Sequence, residues 1–113
     1  MKLLKVFEKV NLVVPIEQRD FINYFEDSVK ELTSMYGERF VLTDGEKSFA
    51  PPEFIDTDIK IKDKYEKAIV ENILFLAGAG DVHQSEFIRQ SKNAYLSYWN
   101  ENAKDRKLVR NRW

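Results

Sequence analysis

The run Ala68-Ile69-Val70-Glu71-Asn72-Ile73-Leu74-Phe75-Leu76-Ala77, followed at once by Gly78-Ala79-Gly80-Asp81, limits this chain more than any other stretch. After Ala68 it is apolar nearly all round, the mark of a helix covered on several sides. The approach positions Tyr65, Ala68, Ile69, Ile73 and Leu76 keep helical spacing. The glycines then break the pattern. From Gln84 onward a second periodic segment sets Phe87, Ile88, Ser91, Ala94, Tyr95, Tyr98 and Trp99 on one face, with Glu86, Arg89, Lys92 and Asn93 on others. Residues 59–99 therefore read as a buried helix, a glycine turn and a one-sided helix. The buried helix starts within 58–63, because Asp63 stands three residues before Glu66 in a variant of the capping box. Ile59-Lys60-Ile61-Lys62 alternates just ahead of it and is compatible with a brief strand.

A chain of 113 residues is one domain by size and can build one modest core. Eight Phe and two Trp within a 43% hydrophobic composition exclude a disordered tail as the class. Zero cysteines rule out disulfides, thiolate metal sites and cysteine nucleophiles. Lys2 and Lys5 are followed only by short apolar pieces, so no signal peptide is expected. The longest apolar run, interrupted by Glu71, is far below the ~20 residues of a membrane span. The chain reads as soluble. Its net charge of −1 argues against general nucleic-acid binding, yet residues 104–112 carry +4 and the remainder −5. The body is acidic and the tail basic.

Leu3, Leu4, Val6, Phe7 and Val10 fit one face of a short first helix over residues 3–10. Asn11 offers a stop, and Leu12-Val13-Val14 ahead of Pro15 should be extended, since proline disfavours the α region in the residue before it. Pro15 suits the first turn of a second helix over 15–36, with Glu17 and Asp20 at the positive end of its dipole. Its apolar stripe is Phe21/Ile22, Phe25, Val29, Leu32 and Met35/Tyr36, and Gly37 closes it as a left-handed residue.

Phe40-Val41-Leu42-Thr43, Asp44-Gly45 and Glu46-Lys47-Ser48-Phe49 carry a hairpin signal, because Asp-Gly supplies the positive φ angles of a tight primed turn. Pro51-Pro52 ends any strand. The expected fold is mainly α: a small bundle of about four helices with a β-hairpin insertion around residues 40–49. Residues 1–103 form a single helical domain and 104–113 a basic C-terminal tail.

Residue chemistry points to no reaction. Gly78-Ala79-Gly80 resembles the start of a dinucleotide fingerprint, but the third glycine position is His83 and the approach is helical, which favours a plain helix-helix turn. His83 is the only histidine, so no multi-histidine metal site exists; with Asp81 and Ser85 near only in sequence, a solvent-facing turn histidine is expected. Asp56, Asp58 and Asp63 fail the calcium-loop pattern, since its fifth and sixth positions are Lys60 and Ile61. Glu17, Asp20, Glu26, Asp27 and Glu31 read as a solvated acidic face rather than a glycosidase pair. Neither an enzyme nor a cofactor is expected. The tail is the most suggestive feature. Arg106, Lys107, Arg110, Arg112 and Trp113 combine cations with an indole, a set able to neutralise phosphates and stack on a base, or to dock a protein partner.

In order, the elements are a short first helix, a proline-led acidic helix, a small hairpin, an apolar helix over 63–77, and a last amphipathic helix with an aromatic end and basic tail over 87–113. This layout resembles the head-tail connector, or adaptor, proteins of tailed bacteriophages. The likeness spans nearly the whole chain and is one of layout, without a residue-by-residue motif. It implies a structural virion protein, assembled in the bacterial host cytoplasm from a phage or prophage gene. Such a protein forms a homo-oligomeric ring, twelve-fold on assembly, beneath the portal protein. There it extends the DNA channel and presents a platform to a downstream tail or stopper protein. On this resemblance the acidic body makes subunit contacts and lets DNA pass without specific binding, and Arg106, Lys107, Arg110, Arg112 and Trp113 dock the partner. The hairpin becomes a second contact element.

The alternative is a small helical nucleic-acid-binding regulator. In it the helices around residues 78–81 act as a helix-turn-helix, Gln84, Arg89, Gln90 and Lys92 read bases, and the tail grips phosphate. The acidic body counts against it.

Overall fold

A computed structural model describes the backbone of residues 1–110 and the side chains of residues 1–97 and 99. Within them the chain forms five α-helices: α1 (Leu3–Val13), α2 (Gln18–Tyr36), α3 (Glu38–Val41), α4 (Glu66–Leu76) and α5 (Val82–Arg110), with one 3-10 turn (Asp63–Tyr65) leading into α4. The mainly helical class expected from periodicity is the class found.

The apolar stripes account for the packing. Leu3, Val6 and Val10 bury the inner face of α1, and Phe21, Phe25, Val29 and Leu32 that of α2. Ala68, Ile69, Ile73 and Leu74 of α4 lie between them, and α4 touches α1, α2 and α5. It is the central helix, as its all-round apolarity predicts. Phe7 meets Phe21 edge to face at 5.2 Å, a favoured geometry for aromatic pairs. Each large side chain buried here contributes about 1.5–3 kcal/mol.

α1 runs past Asn11 to Val13. Asn11 does not stop the helix; its Oδ1 accepts the N–H of Ile16 and so caps the turn that follows. Leu12 and Val13 are exposed, and Val14 alone is extended ahead of Pro15. α2 begins at Gln18 rather than at Pro15, because the Ile16 N–H is taken by Asn11 and the extended Glu17 supplies the first helical carbonyl, which accepts from Phe21. Gly37 ends α2 with φ 92 and ψ 148. That is not the left-handed helical conformation but the neighbouring region open essentially to glycine alone, and it turns the chain abruptly into α3.

The expected β-hairpin around residues 40–49 does not form. Residues 38–41 make one turn of helix, and Leu42 bridges to Ile61 instead of to the segment after Asp44-Gly45. Two physical reasons are visible. Val41 and Leu42 are both buried, which strand alternation forbids and a helix-to-extended transition allows. The Asp44-Gly45 turn exists, with Glu46 N–H donating to Thr43 O, but only Gly45 has positive φ, so the turn lacks the primed geometry that aligns two strands. The far flank packs singly, through the half-buried Phe49 ring 6.3 Å from Phe25. Ile59 and Ile61 are buried on either side of exposed Lys60, and the backbone of residues 57–62 ties down the start of the chain and the end of α3. Ile59 N–H donates to Met1 O, Leu3 N–H to Thr57 O, and Lys62 N–H to Val41 O.

The glycine corner between α4 and α5 is a Schellman cap. Ala79 N–H donates to Leu74 O and Gly78 N–H to Phe75 O, with Gly78 at φ 83. Asp81 then stands immediately ahead of α5, where the helix dipole favours an acid.

Candidate functional site

Three groups of side chains lie along α5. The first is at its start. His83 Nδ1 lies 2.6 Å from Glu71 Oε2 of α4, and both side chains are only about a quarter exposed or less. The expectation of a solvent-facing histidine is corrected. The glutamate that interrupts the apolar run is the partner that draws the ring inward. Neither Asp81 nor Ser85 reaches His83 among the described hydrogen bonds. No group of three or more His, Asp or Glu side chains able to hold a metal occurs among the described residues.

One turn on, Arg89 donates through Nε and Nη2 to the Glu86 carboxylate at 3.2 and 2.7 Å, and Gln90 Nε2 adds a contact at 3.5 Å. The hydrogen bonds from Arg89 hold the Glu86 carboxyl below its ordinary range, and the same carboxylate holds the Arg89 guanidinium above its own. Two of the four side chains expected to read bases are thus engaged with an acid on the same helix.

The second group is aromatic. Tyr95 stacks on Tyr36 at 4.7 Å, and Phe40 stands edge-on to Tyr95 at 5.4 Å. Trp99 extends the series to Phe40 and Tyr95 and is 38% exposed. Arg39 covers the outer face of Phe40 at 5.7 Å. Beneath them Tyr65 is wholly buried with its hydroxyl unpartnered among the described residues, and burial pushes its phenol up to about 12, aided by Tyr36 and Tyr95.

The third group lines a groove of about 490 Å³ between α2, α4 and α5. Asp27, Glu31 and Met35 form one stripe of α2, while Phe75 and Leu76 of α4 and Ile88 of α5 supply the opposite wall. Met35, Leu76 and Ile88 are exposed apolar side chains there. Asn72, 8% exposed at the base, donates to Ser28 Oγ at 2.8 Å, and the Ser28 hydroxyl in turn donates to Tyr24 O at 2.7 Å. Sequence reasoning had both halves of this groove, as an acidic face on α2 and an apolar end on α4, without the fold that sets them side by side.

Of the residues assigned to partner docking, Arg106, Lys107 and Arg110 occupy the last turns of α5, where the backbone is helical and the side chains lie outside the described residues. Arg112 and Trp113 lie outside the described residues altogether. Among the described residues no helix is long and apolar enough to cross a membrane. No protein-family model, curated protein or solved structure matches this chain.

Proposed function

We propose that this chain is a structural assembly protein of the head-tail connector kind, one subunit of a ring that continues the DNA channel beneath a portal. The observation that carries this reading is the disproportion of α5. At 29 residues it is about 44 Å long, against about 16 Å for α4, the helix it packs on. An arm of that length, ending in a segment of +4 on a body of −5, suits attachment to a neighbouring molecule. An acidic ring repels phosphate and lets a genome slide through without holding it. In this reading the chain carries no reaction and needs no cofactor, and its partners are further copies of itself, the portal and the next tail component.

The test is electron microscopy of the purified chain, alone at high concentration and mixed with a portal ring. Ring-shaped particles are expected, and failure in both conditions sinks the reading. The rival, a helix-turn-helix regulator, predicts duplex-DNA binding at low salt that weakens steeply as salt rises. No observation favours it, since Arg89 and Gln90 are held by Glu86 on the face that would enter the groove.

A further inference from the structure

We propose that the acidic-rimmed groove between α2, α4 and α5 receives the basic C-terminal segment, residues 104–113, of a second copy of this chain. The inference deepens the assembly reading and rests on it in one respect, that the chain associates with itself.

The groove specifies its occupant by chemistry. Asp27 and Glu31 are exposed on its rim and take part in no ion pair among the described residues. Met35 is 41% exposed, Leu76 37% and Ile88 51%, so the walls offer apolar surface to a visitor. A fitting segment carries apolar side chains flanked by cations. Residues 104–113 read Lys104-Asp105-Arg106-Lys107-Leu108-Val109-Arg110-Asn111-Arg112-Trp113, which places Leu108, Val109 and Trp113 among five basic residues. An amphipathic segment laid into an apolar groove is a recurring mode of recognition.

The segment cannot fill the groove of its own chain. α5 passes the groove at Gln84, Phe87 and Ile88 and then continues as unbroken helix to Arg110. At 1.5 Å per residue, Lys104 stands about 24 Å beyond Ile88. Residues 111–113, the rest of the segment, can span at most about 11 Å even when fully extended, too little for the segment to return. The occupant therefore comes from another copy. A groove on one molecule that takes the arm of the next is a heterologous contact, which closes into a ring or runs on as a filament.

The test uses the full chain in three charge variants: D27K/E31K in the groove, R106E/K107E/R110E in the arm, and the two sets combined. Sedimentation velocity over a concentration series should show association of the wild type. Each single set should move it about tenfold or more higher in concentration, and the combined chain should recover much of the loss because the charges are again opposite. Circular dichroism confirms that the substitutions leave the helices intact. Association indifferent to both sets overturns the proposal. In parallel, a labelled peptide of residues 104–113 is titrated into full-length wild type and D27K/E31K. Binding about tenfold weaker to the variant is expected, and equal binding to the two chains, or to neither, also overturns the proposal. The two readings separate cleanly. Rings that ignore both charge sets keep the assembly reading and discard the groove. Peptide held at the groove by a chain that forms no ring, alone or with a portal, does the reverse.

Discussion

Glu71 Oε2 lies 2.6 Å from His83 Nδ1, joining the helix at the centre of the core to the first turn of the arm across the glycine corner. The Schellman cap sets where α5 starts, and this pair sets how its first turn leans on α4.

Removing the pair should loosen that corner. Both side chains are partly shielded, so a double-mutant cycle of Glu71→Gln and His83→Asn in urea should return a coupling of about 1 kcal/mol at neutral pH, between the values for exposed and buried charged contacts. A coupling within a few tenths of zero means that the contact adds nothing and the cap alone sets the angle.

Ser28 and Asn72 test the base of the groove. Ser28→Ala strips the acceptor from a buried amide and should cost about 1–3 kcal/mol, while Ser28→Ala combined with Asn72→Leu should recover part of it, because two matched apolar groups leave nothing unpaired. Chemical denaturation of the three variants decides. A double variant no better than the single one shows that the Asn72 amide was satisfied in another way.

Tyr65 presents the opposite case, a buried hydroxyl with no partner among the described residues. Tyr65→Phe should leave stability within about 1 kcal/mol of wild type or raise it. The folded phenol titrates at about 12 against an ordinary 10.0, so folding favours its neutral form. That contribution is whole below about pH 10 and is lost as pH climbs from about 10 toward 12. In wild type one of the five tyrosines should ionise late by ultraviolet absorbance, and the phenylalanine variant should lack that last step. If the variant loses stability by about 2 kcal/mol or more, the hydroxyl has a partner after all.

Gly37 makes the α2–α3 corner possible. An alanine Cβ there would meet only Phe40 Cδ2, at an ordinary 3.9 Å, so any penalty belongs to the backbone angles rather than to crowding. Gly37→Ala should cost about 1–3 kcal/mol, read from the shift in urea midpoint. A negligible shift would falsify the claim that this corner depends on glycine.

The stripes on α1, α2 and α4 and the break at residues 78–81 could be read from the chain because they depend on neighbours within a turn or two, where 3.6-residue spacing and glycine's freedom act directly. The same locality misled the reading of residues 40–49. Asp44-Gly45 does turn, but the choice between a hairpin and a helical turn fell to Val41 and Leu42, both of which are buried, with Leu42 bridged to Ile61 from a distant part of the chain. Glu71 looked like an interruption and His83 like a loose end until the corner brought them together. The groove likewise joins Glu31 to Leu76 and Ile88, residues dozens of positions apart in part. Spacing along the chain carries no information on such meetings, because burial energy is shared among all the elements that close one core, and it is their joint packing that selects which side chains face each other.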